Sequence, residues 1–185
     1  MKYEPLTSDH FYHIYNCGNN KENIFIEERN YSYFLKLLKK YILPISYIWS
    51  YCLLKNHFHL LIKTKENLNE KDISQAFSNL FNAYTKAINK AYHRTGSLFR
   101  DRFSRIKIHD EVYLKKVIVY INANAVHHGF VDKVENYKHS SYSALISDKH
   151  TLLERDEVIE LFDDKKNFKF VMKQKQEIIE ELALE

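Results

Sequence analysis

The order of hydrophobic patterns along this chain of 185 residues is the feature that most restricts how it can fold. Segments rich in β-branched and aromatic residues predict strands, whereas longer segments with apolar residues at helical spacing predict helices. The predicted strands are residues 10–17, 45–54, 57–63 and 98–108, and the predicted helices are 27–42, 72–93 and 110–126. The order βαββαβ followed by a helix is typical of a ferredoxin-like domain, an α+β fold with helices on one face of an antiparallel sheet.

Length and composition favour a single compact domain. A hydrophobic content of 45%, with only 3 glycines and 2 prolines, is typical of a globular chain and not of a disordered one. Weaker helical patterns follow the third helix at 140–146, 154–163 and 168–183. We therefore expect residues 1–146 to form the main domain and residues 147–185 to form a C-terminal helical extension of it.

The apolar segments of the sequence are too short for a membrane span, which needs about 20 residues. The N-terminal residues also lack the apolar core of a signal peptide, so we expect a cytoplasmic protein without a membrane partner. Cys17 and Cys52 have neither the spacing of a zinc site nor the density of a disulfide framework. The sequence therefore indicates neither a zinc finger nor a disulfide-stabilised protein.

A histidine pair lies in the third predicted strand, within YCLLKNHFHLLIK at residues 51–63. Alternate side chains of a strand point the same way, so His57 and His59 share one face and Phe58 points to the other. Two imidazoles that converge from a rigid strand are suitable ligands for a divalent metal. The alternative is an ordinary pair of half-exposed strand histidines.

The third predicted helix carries a second group of polar side chains. Tyr113, Tyr120 and Asn124 fall along one border of its apolar stripe, where they would touch the sheet and keep access to solvent. The phenol oxygen of Tyr120 can attack phosphorus and form a phosphotyrosine. Asn124, one turn later, offers a carbonyl oxygen as a third metal ligand, and a metal would polarise the phosphate. The alternative for Tyr120 is a packing role, which is common in a chain with 14 tyrosines.

Cationic and aromatic side chains indicate a nucleic-acid partner. The net charge of +4 permits an anionic ligand, and an aromatic share of 15% suits the stacking of unpaired bases. In a strand over 98–108, Arg100 and Arg102 would lie on one face, and Arg105 and Lys107 on the other. These cations would neutralise phosphates, although a charged and solvated edge strand is the alternative.

Five motifs resemble, in the same order, those of one known family. They are HIYNCGNNKENIF at 13–25, YCLLKNHFHLLIK at 51–63, GSLFRDRFSRIKI at 96–108, YINANAVHHGFV at 120–131 and SSYSAL at 140–145. Together they cover roughly residues 8–146 and resemble the single-tyrosine HUH transposases. Among these the chain is most similar to the REP-associated tyrosine transposases, which act on repetitive extragenic palindromes.

The resemblance implies an enzyme that cuts and rejoins single-stranded DNA near hairpins through a 5′-phosphotyrosine, leaving a free 3′-hydroxyl. It implies that Tyr120 is the nucleophile and that His57, His59 and Asn124 hold Mg²⁺ or Mn²⁺. The partner would be single-stranded or hairpin DNA, bound by a monomer or a homodimer. Two other functions stay open: a non-catalytic module that binds hairpins, and a phosphodiesterase that uses water.

Three positions depart from the family's pattern. Lys55 stands where proline is frequent and adds a positive charge for DNA, Ala125 replaces a usual proline after Asn124, and Cys17 stands where arginine is frequent. None of the three removes a catalytic group. Three further histidines are secondary candidates for the site: His13 on the first strand, and His127 and His128 after the third helix.

Overall fold

The computed structural model describes residues 4–174, and its centre is a four-stranded antiparallel sheet. The strands are β1 (Phe11–Cys17), β2 (Ser46–Leu54), β3 (His57–Thr64) and β4 (Ser104–Ile108). They lie in the order β2-β3-β1-β4, and each neighbouring pair is antiparallel. The predicted α+β fold with a ferredoxin-like βαββαβ sheet is confirmed.

Six α-helices complete the described part of the chain. They are α1 (Glu28–Tyr41), α2 (Glu70–Ala91), α3 (Glu111–His127), α4 (Tyr142–Ile146), α5 (Arg155–Glu160) and α6 (Lys165–Gln174). Local chemistry determines where the long ones begin. The side chain of Asn69 accepts a hydrogen bond from the backbone of Asp72, and Asp110 does the same for Tyr113, so both helices have polar N-terminal caps. The predicted helix at 168–183 extends beyond the described residues.

The sheet is covered on both faces because its strands alternate two sets of apolar side chains. Tyr12 and Ile14 of β1, together with Phe58 of β3, point into a core formed with α1 and α2. Leu61 of β3 points the other way, into a second core formed with α3. The helices of the βαββαβ unit therefore share one face, as predicted, and the third long helix lies on the opposite face.

The C-terminal extension packs on the outer side of α3. Val158, Phe162, Phe168 and Met172 belong to the same apolar cluster as the helix. Residues 117–125 are therefore buried on every side of the helix. The expectation of a solvent-accessible border on α3 is wrong, because an apolar stripe seen in the sequence does not reveal a second layer on the helix's other side.

Phe168 tests how strongly this second layer stabilises the domain. Its side chain is fully buried, whereas Phe170 in the same helix is 58% exposed. We expect Phe168→Ala to lower the free energy of unfolding by about 3–5 kcal/mol, because it leaves a cavity against α3. Phe170→Ala should change it by less than about 0.5 kcal/mol. Urea denaturation measures both values, and equal effects would contradict the packing.

The fourth strand is shorter than predicted. Only Ser104–Ile108 forms a continuous ladder with β1, and residues 98–103 form a loop in which Phe99 makes an isolated bridge to Gly18. The physical reason is Arg102, whose φ of 58° is left-handed and incompatible with a strand.

None of the helices within residues 4–174 is both long and apolar enough to span a bilayer.

Candidate active site

The two histidines of β3 share the face that α3 covers, as the period of a strand predicts. Their ring centroids are 5.3 Å apart. Phe58 points to the other face, where its ring packs 5.2 Å from that of Phe34. His59 is 1% exposed and His57 is half-buried, so the pair runs from the interior towards the surface.

Tyr120 of α3 lies directly beside these imidazoles. Its ring centroid is 5.5 Å from that of His59 and 6.0 Å from that of His13, with an edge-on orientation in both contacts. Only 3% of Tyr120 is exposed. The structure therefore brings together the histidine pair and the tyrosine, which are about 60 residues apart in sequence.

His57 connects the strand to the last part of the tyrosine helix. Its Nδ1 lies 2.8 Å from Oδ1 of Asn56, and a carbonyl oxygen only accepts, so Nδ1 carries the proton of the neutral ring. Its Nε2, which then holds a lone pair, lies 3.3 Å from Oδ1 of Asn124. Two lone pairs facing each other repel, and either a proton on Nε2 or a cation between the two atoms removes the repulsion.

The donor atoms fit a divalent metal. Ligand atoms at right angles on an octahedral ion with bonds of about 2.1 Å are about 3 Å apart, close to the separation of His57 and Asn124. Among residues 4–174, histidine, cysteine and carboxylate side chains alone form no group of three metal ligands. A metal at this position would therefore depend on the amide oxygen of Asn124, which is fully buried.

His13, on the neighbouring strand β1, forms a hydrogen bond with His59. A hydrogen bond of 2.9 Å joins Nε2 of His13 to Nδ1 of His59, so Nε2 is the nitrogen of His59 that would bind a metal. Burial lowers the pKa of His13 to about 3 and holds the pKa of His59 well below its ordinary value. Both rings are therefore neutral near pH 7, the state that a metal ligand requires.

Two more side chains form the edge of this group. The ring of His128 lies 4.8 Å from that of His57, and Tyr15 stacks on His59 with centroids 5.6 Å apart. Both are half-buried, whereas His127 points out to solvent. Tyr15 was missed by the sequence analysis, although the alternation of β1 places it on the same face as His13.

A buried polar network holds α3 in register with the sheet. The hydroxyl of Ser141 donates to Oδ1 of Asn122 at 2.7 Å, and Nδ2 of Asn122 donates to the hydroxyl of Ser50 at 2.9 Å. The Ser50 and Ser141 hydroxyls are 2.9 Å apart, and all three residues are buried. The network joins α3, β2 and the start of α4, and it lies two residues from Tyr120.

Asn122→Ala is expected to lower the free energy of unfolding by about 1–3 kcal/mol, because Ser50 and Ser141 lose their shared partner in the interior. Asn79→Ala on the exposed surface of α2 is the control, with an expected change below about 0.5 kcal/mol. Thermal or urea unfolding of both variants measures the difference. An Asn122 variant as stable as the control would show that the network does not stabilise the position of α3.

The predicted DNA-binding cations do not gather around Tyr120. Arg105 and Lys107 pair with Ile14 and Tyr12 of β1, so they share one face as predicted, but it is the α2 face. Arg100 and Arg102 lie exposed in the 98–103 loop, and the prediction that they alternate on a strand is wrong because β4 begins only at residue 104. Lys55 alone is near the site, exposed in the turn before His57.

The departures from the family's pattern have simple structural effects. Ala125 is fully buried and α3 continues past it to His127, which a proline would disfavour. Cys17 is half-buried at the end of β1, opposite His57 in the sheet. The departures therefore leave the histidines, Tyr120 and Asn124 together.

A ferredoxin-like sheet with a histidine pair on one strand and a tyrosine helix across it defines the class to which this protein belongs. The family of IS200-like transposases matches residues 6–124, and the chain is a member of it.

Two individual proteins are similar to this chain, one in sequence and one in structure. A protein of Haemophilus influenzae assigned as a REP-associated tyrosine transposase is 29% identical over 100 residues, and the alignment covers 49% of this chain and 56% of that protein. The match thus spans little more than half the length of this relative. A structure of a REP-associated tyrosine transposase bound to a REP hairpin superposes with a TM-score of 0.64 at 15% identity, covering 82% of this chain and 88% of that one. At 15% identity, this superposition shows that the two proteins share a fold.

Proposed function

We propose that this protein is a metal-dependent transesterase that cuts and rejoins single-stranded DNA beside hairpins. The single observation that carries the proposal is the meeting of Tyr120 with His57, His59 and Asn124 in one group, which is buried except for the half-buried His57. Pure DNA binding needs no such combination of a phenol with potential metal ligands. The match to the family covers residues 6–124, a range that contains all four of these residues.

Tyr120 is the nucleophile of the proposed reaction. Its phenol loses a proton, and the oxygen attacks the phosphorus of a phosphodiester while the bond from phosphorus to the 3′-oxygen breaks. The 3′-oxygen takes up a proton and leaves as a hydroxyl, and the DNA stays attached to Tyr120 through its 5′-phosphate. The reverse attack by a 3′-hydroxyl rejoins the DNA, because the phosphotyrosine conserves the bond energy.

His57, His59 and Asn124 are the residues that would hold Mg²⁺ or Mn²⁺. Such an ion, when bound, withdraws charge from the phosphate oxygens and makes phosphorus easier to attack. His13 orients the ring of His59 through the hydrogen bond between them, and Asn56 orients His57 in the same way. Because the tyrosine and the histidines of one chain meet, a monomer is sufficient to form the proposed site.

Tyr120 is closed off from solvent in this structure, with only 3% of the residue exposed. The same burial means that side chains around Tyr120 must rearrange before a phosphate can reach it. This requirement is also the one observation that favours the second candidate function, a hairpin-binding module that has kept the fold without the reaction.

The test is a denaturing gel of protein incubated with labelled DNA that contains a hairpin and a single-stranded flank, in the presence of Mn²⁺. The proposed enzyme retains the label on the protein band through a covalent bond. A phosphodiesterase that uses water would instead shorten the DNA without labelling the protein. A binding module would do neither, and either of these two results would contradict the proposal.

His13→Ala is expected to weaken Mn²⁺ binding by about 10- to 100-fold, because the ring of His59 loses the partner that orients it. Titration calorimetry with Mn²⁺ alone measures this effect without DNA. His150→Ala, an exposed histidine, is the control and should bind Mn²⁺ as the unchanged protein does. Equal affinity in the two variants would show that His13 does not act through the metal site.

A further inference from the structure

The side-chain amide of Asn124 is buried, and its two ends have different surroundings. Its oxygen Oδ1 lies 3.3 Å from Nε2 of His57. Its nitrogen Nδ2 is enclosed, and no group of residues 4–174 accepts a hydrogen bond from it. Folded proteins leave few buried donors unpaired, because such an N–H loses its hydrogen bond to water and gains none in return. Nδ2 is therefore a donor suited to a partner from outside these residues.

Asn122 shows that the same helix can satisfy a buried amide completely. Its Oδ1 accepts from the hydroxyl of Ser141 at 2.7 Å, and its Nδ2 lies 2.9 Å from both the Ser50 hydroxyl and the Ile118 carbonyl. Both asparagines are fully buried. Two residues further along α3, the described part of the chain supplies no such acceptor for Nδ2 of Asn124. The difference separates an amide that stabilises the fold from one that is equipped to bind a ligand.

The orientation of the Asn124 amide also favours a ligand. Nδ1 of His57 carries its proton towards Asn56, so Nε2 of His57 is an acceptor. An amide turned end for end would bring Nδ2 to Nε2 and form a hydrogen bond inside the protein. The observed orientation gives up that bond and places Oδ1 there instead. It suits a cation between Oδ1 and Nε2, and it keeps Nδ2 for a second partner.

Asn124 is positioned to reach a phosphate that Tyr120 attacks. The two residues are four apart on α3, so their side chains are neighbours on one side of the helix. A phosphate held between the phenol of Tyr120 and an ion on His57 therefore lies against the Asn124 amide. Of the predicted DNA-binding cations only Lys55 is near, and it is exposed in the turn before His57. A neutral donor is useful at this point, because it adds a hydrogen bond to the phosphate without repelling the ion.

We propose that Nδ2 of Asn124 donates a hydrogen bond to a non-bridging oxygen of the phosphate that Tyr120 attacks, while Oδ1 faces the metal. The inference rests on the proposed function, and it gives Asn124 a second role in contact with the substrate. One amide then joins the ion to the phosphate, so metal and DNA bind cooperatively. A carboxylate at this position would be a stronger ligand for the ion, but it has no N–H and its charge would repel the phosphate.

The experiment follows the side-chain amide of Asn124 by NMR in isotope-labelled Tyr120→Phe protein, in which the tyrosine cannot react. Its proton signals are identified as the pair missing from the Asn124→Asp spectrum. The probe is a DNA hairpin with a single-stranded flank, added in the presence of Mg²⁺. One of these signals is expected to move downfield and to exchange more slowly with water when DNA binds, because that N–H gains an acceptor. The side-chain signals of Asn122, whose donor is already paired, are the internal control and should stay in place.

Fluorescence anisotropy of the same DNA, in saturating Mg²⁺, provides a second measurement. In the Tyr120→Phe protein, Asn124→Asp is expected to weaken binding by at least about tenfold, the value of a hydrogen bond to a charged group. Its Mn²⁺ affinity without DNA should stay within about threefold or rise, because a carboxylate oxygen replaces the amide oxygen as ligand. Asn79→Asp on the exposed surface of α2 makes the same chemical change away from the site and should bind DNA as the parent does.

Unmoved Asn124 signals in a DNA complex would overturn the proposal, and so would equal DNA affinity of the Asn124→Asp and Asn79→Asp proteins. Signals that lie downfield in the free protein and do not respond to Mg²⁺ and DNA would show that Nδ2 stays bonded to His57, which also overturns it. Neither measurement includes the reaction, so the tyrosine adduct of the unchanged protein is a separate result. An adduct without the amide shift would reject only the second role of Asn124, and an amide shift without an adduct would reject only the transesterase.

Discussion

Replacing Tyr120 with phenylalanine is expected to abolish the covalent protein–DNA adduct and to lower DNA cleavage by at least about 10⁴-fold, as removal of a nucleophile does in other covalent enzymes. The substitution deletes one oxygen and keeps the ring that packs beside His59 and His13. Binding of hairpin DNA should therefore be almost unchanged, and the separation of binding from chemistry is the diagnostic result.

Tyr113→Phe is the matched control for this experiment. Tyr113 lies two turns earlier on the same helix and is half-buried, so its substitution makes the same chemical change outside the group around the histidines. Its adduct should form as in the unchanged protein, within about threefold. An adduct that persists in Tyr120→Phe would exclude Tyr120 as the nucleophile, and loss of the adduct only in Tyr113→Phe would transfer the role to that residue.

Removal of the metal is expected to have the second large effect. We expect EDTA, and separately His57→Ala, to lower the rate of adduct formation by at least about 100-fold, because the charge of the attacked phosphate is then not neutralised. His57 is the better ligand to replace, since it is half-buried and its loss leaves a smaller cavity than the loss of His59. Mn²⁺ binding measured by calorimetry should fall in parallel.

His150→Ala provides the control for the His57 variant and should retain both metal binding and adduct formation. Hairpin binding in EDTA should be equal in all three proteins, which shows that the loss concerns the reaction. Full adduct formation in EDTA would reject a metal-dependent mechanism. Full Mn²⁺ affinity in His57→Ala would remove His57 from the ligand set.

Much of the candidate site follows from two short-range periods. The repeat of two in a strand places His57 and His59 on one face whatever else the chain does. The repeat of 3.6 in a helix places Asn124 one turn from Tyr120 in the same way. Neither conclusion depends on residues far away in the sequence, and the structure agrees with both.

The cations illustrate where such local reasoning fails. Alternation predicted Arg100, Arg102, Arg105 and Lys107 on two faces of one long strand. The left-handed backbone of Arg102 interrupts the pairing with β1 before Ser104. A non-glycine residue rarely adopts this conformation, and the pattern of side chains does not reveal it. As a result, Arg100, Arg102 and Arg105 line one groove between α2 and the chain at 96–105, and Lys107 lies on the same face of the sheet.

The sequence by itself determined the order of strands and helices, the shared face of the histidine pair and the spacing of Tyr120 and Asn124, because each depends on the local geometry of the backbone. Only the tertiary structure decided that α3 crosses the sheet opposite α1 and α2, since both faces of the sheet carry apolar side chains and either could receive it. It also decided that α5 and α6 bury the outer side of α3. Contacts between distant segments leave no periodic mark in the sequence, so the burial of Tyr120 could be found only in the folded protein.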